Sequence, residues 1–290
     1  MAIERLPHLP KQMVMACGPG YYRTSREKKR NALENFAAIA RYALPTDEAT
    51  CAYHLWHEDL RLENIFVDPT QPTNILGVID WQSVQIAPLF EHRIDPPVLK
   101  YDGPDVDGLK RPVLPDDYDE LSADSRAREI NLYYSMALMS AYRTLVHMKT
   151  PELYRAIEFQ DTAPGNLLML ARRIFGVGEA HVRLLILNLR QEWYHLPAVR
   201  EAGNPPFPLQ FSDAEVEEID GDAEVATISI QTMEKLKACA GDLWPEKGSC
   251  PPQLYDEVKD MLVQLRDELV ELAELDEEDR EVFEREWPFQ

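Results

Sequence analysis

The sequence predicts a mainly helical α+β protein in which one small β-hairpin interrupts a set of amphipathic helices. Helical periodicity, with apolar residues spaced by three or four, runs through most of the chain after residue 125. The β-type signal is concentrated between residues 51 and 81, where short apolar runs flank a proline-containing turn. At 290 residues the chain is long enough to bury a substantial core.

The first fifty residues are predicted to form a loop followed by a helix. Thr24 or Ser25 caps this helix, which runs to about Tyr42 and is ended by Pro45. A basic cluster lies at its start and comprises Arg23, Arg26, Lys28, Lys29 and Arg30. A solvated helix start is the simplest interpretation of the cluster, and contact with an anion or phosphate is the alternative.

Three short strands are predicted next. Residues 51–56 form the first, and the apolar segments 64–68 (NIFVD) and 75–81 (ILGVIDW) form a hairpin around Pro69 and Pro72. A hairpin that is symmetric about Pro72 places Phe66 opposite Val78 and Asn64 opposite Asp80.

The polar residues of this hairpin are Asn64 and Asp80, and Asp59 lies in the loop before them. An amide oxygen and a carboxylate at one hairpin end could hold the same hard cation, such as Mg²⁺. Asp59 could face the same spot as a general base or as a charge partner.

Residues 57–64 read H-x-D-x-x-x-x-N, and residues 79–81 read I-D-W. This combined spacing resembles the catalytic and metal-binding loops of the aminoglycoside phosphotransferase/choline kinase-like family. The longer segments LWHEDLRLENIFVDP, GVIDWQS and APLFEHRIDPP resemble fungal members of that family more narrowly.

The resemblance implies a role for each of these residues. Asp59 would be the catalytic base, Asp80 the main Mg²⁺ ligand, Asn64 a second ligand, and His57 a brace for the loop. His57 and Glu58 join Asp59 as candidates for acid–base chemistry. The alternative is a hairpin with solvated polar ends and an ordinary turn aspartate.

The resemblance covers the C-terminal lobe of a protein-kinase-like fold. No G-x-G-x-x-G segment and no strand-borne lysine are recognised before His57. The expected fold is a kinase-like C-terminal lobe with a small β-hairpin at the catalytic loop, lacking the β-rich N-lobe. Mg²⁺ is the implied metal, and ATP binding is expected to be weak or absent.

We expect a single domain over residues 1–290. Its parts are an N-terminal loop and helix (1–50), the catalytic and metal-binding loops (51–97), a long surface loop (98–119), a helical core (120–250) and an acidic terminal helix (251–290).

Residues 125–148 are expected to form an amphipathic helix whose apolar side chains face the core. These side chains are Ile130, Tyr133, Tyr134, Ala137, Leu138, Ala141 and Leu145. Segments 166–175 and 182–196 are two further helices. Ser212 and Glu215 form a capping box for a helix that continues, broken or unbroken near Gly221, to Leu243.

The terminal helix carries a seam of apolar residues in 3-4-3-4-3 spacing, which are Tyr255, Val258, Leu262, Leu265, Leu269 and Leu272. Docking of this seam on the domain, with an acidic face in solvent, is the simplest interpretation. A homo-oligomer seam is the alternative.

The charge balance restricts the partners. With 30 basic and 51 acidic residues the net charge is −21, which argues against nucleic acid or an anionic membrane as a partner. No apolar run approaches the ~20 residues that span a bilayer. We expect a cytoplasmic protein, with a mitochondrial location left open by the family resemblance, that acts on a cationic or hydroxyl-bearing small molecule.

Three functions follow from the sequence. The first is a repurposed small-molecule enzyme in which Asp59 and Asp80 perform acid–base chemistry without ATP. The second is a Mg-ATP-dependent phosphotransferase acting on a hydroxyl group. The third is a catalytically inactive pseudokinase that binds or scaffolds.

Overall fold

The computed structural model describes residue 22 and residues 24–92, 94–95, 99, 103–104, 106, 108–244, 250–272, 277–285 and 287. The chain is 67% helix and 6% strand, which confirms the mainly helical α+β class. Assignment of this fold to a kinase-like lobe stays a prediction. The chain divides into two compact units, which we call the hairpin unit (Leu44–Asn166) and the helical unit (Met1–Ala43 with Leu167–Gln290).

The longer elements follow the predicted order. The helices are α1 (Arg26–Ala43), α2 (Glu48–Cys51), α3 (Ala123–Lys149), α4 (Pro151–Gln160), α5 (Ala163–Arg172), α6 (Ile174–Val177), α7 (Ala180–Glu192), α8 (Pro197–Glu201), α9 (Asp213–Ala240), α10 (Tyr255–Leu272) and α11 (Glu277–Arg285). The strands are β1 (Tyr53–Trp56), β2 (Ile65–Val67), β3 (Ile75–Val78) and β4 (Gln85–Pro88).

The strands of the hairpin unit form two small antiparallel sheets. In the first, β1 pairs with β4, so that Tyr53 lies opposite Pro88 and Trp56 lies opposite Gln85. The predicted strand at residues 51–56 is shorter than expected because Asp47 caps the helical turn α2, accepting hydrogen bonds from the Thr50 amide (2.8 Å) and hydroxyl (2.6 Å). Strand β4 was not predicted.

The second sheet pairs β2 with β3, and its predicted register is wrong by one residue. Ile65, not Phe66, lies opposite Val78, and the register shifts again between Phe66 and Val67. The physical reason is that the turn is centred on Gln71 rather than on Pro72, since Val67 pairs with Ile75, and the irregularity then reduces the offset from two residues to one. As a result the amide of Ile79 donates to the Asn64 carbonyl (3.0 Å), and Asp80 lies one residue beyond that contact.

The core of the hairpin unit lies beneath β1 and β4, against α3 and α4. Its buried members are Leu89, Ile94, Val146, Tyr154, Ala156 and Ile157, with Trp56, Tyr142 and Leu153 packed around them. Helix α4, which the sequence did not indicate as a separate element, begins with Pro151 directly after α3. The predicted surface loop at 98–119 lies partly outside the described residues, and its end forms a 3₁₀ turn at Tyr118–Glu120.

Helix α3 extends slightly beyond the predicted residues 125–148 at both ends, and the prediction of its buried face is wrong. The buried residues are Met139, Ser140, Arg143 and Val146. Leu138 and Leu145, which were expected in the core, are 53% and 57% exposed. The inward positions are occupied partly by polar groups, because Ser140 donates to the Lys110 carbonyl (2.9 Å) and Arg143 donates to the Val106 carbonyl (3.0 Å).

Ion pairs hold the start of α1 within the helical unit. The prediction of a solvated basic cluster is therefore wrong at two of its residues. Lys29 is fully buried and pairs with Glu179 (2.6 Å), and Lys28 pairs with Asp222 (2.6 Å). Their ammonium groups are therefore occupied by carboxylates of the same chain rather than by solvent or a bound anion.

The later helices of the helical unit largely follow the predicted periodicity. On α7 and the turn after it, Val182, Leu189 and Trp193 are buried as expected. The capping box at Ser212 is present, and α9 runs unbroken past Gly221. On α10, Val258, Leu262 and Leu265 are buried, which favours docking within this unit over an oligomer seam. No helix in the described ranges is long and apolar enough to cross a membrane.

Candidate functional site

The loop from His57 to Asn64 is a compact turn that presents Asp59. The Asp59 carbonyl accepts hydrogen bonds from the Arg61 amide (2.9 Å) and from the Asn64 side-chain amide (2.9 Å). A 3₁₀ turn at Leu62–Asn64 then leads directly into β2. Asn64 therefore uses its nitrogen to hold the Asp59 backbone, which leaves its side-chain oxygen available for a ligand.

The carboxylate of Asp59 is paired with the guanidinium of Arg61 through one oxygen, Oδ1. The Asp59 side chain is about one third exposed and Arg61 is more exposed. The second oxygen, Oδ2, has no recorded partner among the described residues. Arg61, which the sequence interpretation overlooked, therefore holds the carboxylate through Oδ1 alone.

Asp80 lies at the end of β3 in a left-handed backbone conformation, with φ 65° and ψ 49°. Few residues other than glycine adopt this region, and aspartate and asparagine are among those that tolerate it. Its exposed carboxylate caps no helix and has no recorded partner within the described residues. A constrained backbone that carries an unused carboxylate is a common feature of functional sites.

His57 links the loop to the segment after β3, and its role as a brace stays a prediction. Its Nε2 donates to the Ile79 carbonyl (2.9 Å), which connects the Asp59 loop to the segment that carries Asp80. The imidazole also packs edge-on against Trp81, with ring centroids 5.0 Å apart. The Trp81 indole in turn donates to the Val78 carbonyl (2.7 Å) and fixes the end of β3. These contacts favour a positioning role for His57 over proton transfer.

Glu58 is occupied by contacts with neighbouring side chains. Its Oε1 accepts a hydrogen bond from Gln85 (2.6 Å) and lies 3.2 Å from Nδ1 of His92. These contacts tie the Asp59 loop to β4, so we interpret Glu58 as a positioning residue rather than an acid–base group.

His92 is a site residue that the sequence interpretation missed. It is 1% exposed, its Nε2 donates to the carbonyls of His54 (3.0 Å) and Ala87 (3.1 Å), and its ring stacks on Trp56 at 5.2 Å. The signal was present in the segment APLFEHRIDPP, where a single histidine follows an apolar run. A histidine in that context is compatible with an ordinary core residue as well, so its contacts could not be derived.

The turn of the hairpin is held by Asp68. Its Oδ1 accepts hydrogen bonds from the Thr70 hydroxyl (2.7 Å) and amide (2.7 Å), and both hold the pKa of Asp68 below its usual value. The Asp68 carboxylate is therefore engaged in hydrogen bonds within the turn, whereas Asp59 and Asp80 each keep at least one carboxylate oxygen without such a contact among the described residues.

The donor set at the open end of the hairpin suits Mg²⁺. The Asn64 side-chain oxygen and the Asp80 carboxylate are both hard oxygen ligands without recorded partners, and Mg²⁺ is commonly held by one or two carboxylates together with substrate phosphates. Across the described residues, no cluster of three or more His, Cys, Asp and Glu side chains is placed to hold a metal. The site therefore fits a metal that arrives with a phosphate ligand better than a permanent protein-only metal site.

Comparison with known proteins connects this geometry to a family. A family model described as "Phosphotransferase enzyme family" matches residues 14–91, a segment that contains the Asp59 loop, Asn64 and Asp80. The match extends over this segment alone, and the rest of the chain lies outside it. This finding confirms, at the level of the family, the resemblance carried by H-x-D-x-x-x-x-N and I-D-W.

Two curated relatives come from strains of Aspergillus fumigatus, and each is called a "Subtelomeric hrmA-associated cluster protein". Each is 27% identical to this chain over 286 residues. The alignment covers 93% of this chain and 52% of the relative, so the chain spans about half the length of the curated relatives it matches. No solved structure matches the chain significantly.

Proposed function

We propose that this chain carries the catalytic-base and metal-binding part of a phosphotransferase that acts on a hydroxyl group of a small molecule. The observation that carries the proposal is the set of free oxygen atoms at one end of the hairpin. Asn64 and Asp80 offer ligand oxygens there, while the Asp59 carboxylate is oriented by Arg61 in the adjoining loop. The family match over residues 14–91 supports the same chemistry.

Each residue has a separable task in this reaction. Oδ2 of Asp59 accepts the proton of the substrate hydroxyl while the hydroxyl oxygen bonds to the γ-phosphorus of ATP. The bond between that phosphorus and the bridging oxygen to the β-phosphate breaks, and ADP leaves. Asn64 and Asp80 would hold Mg²⁺, which neutralises charge on the phosphates when it is bound. His57 and Glu58 keep the two loops in place through the Ile79 carbonyl and through Gln85.

An ATP-independent acid–base enzyme is the second candidate. It needs two carboxylates in a semi-buried pocket, where proximity separates their pKa values. Asp80 is exposed and Asp59 is paired with Arg61, so the carboxylates do not meet this requirement as well as they meet that of a metal site. A non-catalytic binding protein is the third candidate, and the free oxygens of Asp59 and Asp80 favour the enzymes over it.

One labelling experiment separates these functions. The chain is incubated with Mg²⁺, ATP labelled at the γ-phosphate and a fungal small-molecule extract, beside an otherwise identical mixture without ATP. A labelled product that requires both Mg²⁺ and Asp59 supports the phosphotransferase. An unlabelled conversion that persists without ATP and disappears in Asp59→Asn supports the second candidate. If neither the labelled nor the unlabelled product forms, the result favours the binding protein and contradicts the proposal.

A further inference from the structure

The feature that the proposed reaction does not use is an apolar stripe on the outer face of α3. We define the stripe as Tyr134, Leu138, Ala141, Leu145 and Met148, all of which are exposed. The four large side chains are 62%, 53%, 57% and 68% exposed in chain order. Large apolar side chains in a contiguous exposed row mark an interaction surface more often than isolated exposed residues do.

The contrast between the two faces of α3 makes the stripe unusual. The inward face contains Ser140, which donates to the Lys110 carbonyl (2.9 Å), and Arg143, whose Nη1 donates to the Val106 carbonyl and to the Asp161 carboxylate (3.0 Å each). The outward face contains the more regular apolar pattern. A helix places its apolar stripe against a partner surface, so this helix carries a second surface suited to packing.

We propose that the stripe is the contact between two copies of this chain, related by a twofold axis that passes close to Ala141. The first argument is that the stripe is symmetric about that residue to within one position. Leu138 and Leu145 lie three residues before and four residues after Ala141, and Tyr134 and Met148 lie seven residues on either side. A twofold contact requires one patch to be complementary to itself, and this arrangement meets that requirement.

The side-chain sizes agree with a crossing of two helices at Ala141. Helices pack with their axes about 8–10 Å apart, depending on the side chains at the contact point. A small residue at the crossing allows close approach, while the larger residues on either side fill the space as the helices diverge. Rotation about the axis then brings Leu138 of one copy next to Leu145 of the other.

The second argument is charge. The chain has a net charge of −21, so two copies repel each other over most of their surfaces. Between Glu129 and Glu152, however, the sequence contains no acidic residue. The residues beside the stripe include Ser135 and Thr144, which add no charge. A self-contact at α3 therefore brings no carboxylates of the α3 face against each other.

Sedimentation equilibrium of the full chain at about 100 µM tests the proposal. We expect a monomer–dimer equilibrium for the wild type. Leu138→Glu and Leu145→Lys should each weaken the dimer by about 30-fold or more, because either change places charges in an apolar contact twice per dimer. Ile228→Glu is the matched control, since Ile228 is also on a helix and is 55% exposed, and it should leave the equilibrium unchanged.

Mixing the two stripe variants tests the twofold arrangement itself. In a mixed dimer the glutamate introduced in one copy lies next to the lysine introduced in the other, so the two new charges attract each other. The unchanged Leu145 of the first copy and Leu138 of the second keep their apolar contact, so association should recover.

Circular dichroism establishes that each variant is folded. Ala141→Gln replaces any variant that does not fold, and it should weaken the dimer to the same extent. A monomeric wild type, a dimer insensitive to both stripe variants, or a mixture that fails to associate would overturn the proposal.

Discussion

At the scale of single residues, the Asp59 carboxylate can be neutralised without disturbing its surroundings. We predict that Asp59→Asn lowers product formation by ~10²–10⁴-fold, because the amide keeps the shape but cannot accept the proton. The backbone carbonyl of Asp59, which holds Arg61 and Asn64, is unaffected. Stability should change by less than about 1 kcal/mol, since the lost ion pair with Arg61 is exposed.

Glu63→Gln is the matched control for this prediction, because Glu63 is an exposed acid in the same loop with no recorded partner. Product formation is compared by metabolite profiling of a host that expresses each variant at equal abundance. Equal product levels for wild type and Asp59→Asn would show that Asp59 is not the base.

Asp80 separates a backbone requirement from a charge requirement. Asparagine tolerates the left-handed conformation that Asp80 adopts, whereas a β-branched residue does not. We predict that Asp80→Asn keeps the free energy of unfolding within about 0.5 kcal/mol of the wild type. Asp80→Val should lower it by about 1–2 kcal/mol. Urea denaturation measures both, and equal stability of the two variants would contradict the conformational argument.

The residues of the site that sequence reasoning could identify are those whose chemical type and spacing form a motif. Asp59, Asn64 and Asp80 belong to this group. Gln85 and His92 do not, because they act through contacts with Glu58 that depend on the pairing of β1 with β4. Arg61 was present inside the motif, but only the folded turn shows that it pairs with Asp59.

At the scale of elements, α1 is held in the helical unit by a buried ion pair. The Glu179 carboxylate accepts hydrogen bonds from Lys29, from the Tyr22 hydroxyl (2.7 Å) and from the Thr24 hydroxyl (2.7 Å). We predict that Glu179→Gln lowers the free energy of unfolding by about 3–5 kcal/mol, because it leaves the Lys29 charge buried without a counter-charge. The double variant Lys29→Met/Glu179→Leu should lose less free energy of unfolding than Glu179→Gln does. Urea denaturation of the wild type and of both variants checks this order.

The same pair predicts a pH dependence. Burial raises the pKa of Glu179, but the hydrogen bond and charge of Lys29, with Thr24 and Tyr22, outweigh burial and hold it below the ordinary value. A carboxyl group with a lowered folded-state pKa stabilises the protein above its unfolded-state pKa and loses that contribution as pH falls through the folded-state value. The stability difference between wild type and Glu179→Gln should therefore shrink on acidification below about pH 4. A difference that grows with acidification would contradict the assignment.

Element types were easier to predict than the faces and registers that elements use. Periodicity located α3, α7 and α9 because amphipathic spacing is a local property of the sequence. It gave the wrong buried face for α3, since the inward position of Arg143 depends on carbonyl and carboxylate partners that are distant in sequence. The hairpin register was wrong for a similar reason, because neither the centre of the turn at Gln71 nor the shift between Phe66 and Val67 has a separate sequence signal.

At the scale of the whole molecule, the proposed chemistry requires a nucleotide as the phosphoryl donor. The sequence contains no G-x-G-x-x-G segment, whose amides cradle phosphates in kinases. We predict that this chain binds MgATP weakly, with a dissociation constant well above the low micromolar range. Calorimetry measures MgATP binding to the wild type and, for comparison, to Asp80→Asn. A wild-type dissociation constant in the low micromolar range or below would refute the prediction.

The central claim is that Asn64 and Asp80 share one divalent cation beside Asp59. Mn²⁺, a paramagnetic substitute for Mg²⁺, broadens the NMR signals of nearby amides, so its titration in the presence of ATP locates the cation directly. We predict that the amides of Asn64 and Asp80 broaden first and that Asp80→Asn abolishes this broadening. Broadening confined to the acidic helices α9 and α10, or broadening at the hairpin that Asp80→Asn leaves unchanged, would contradict the claim.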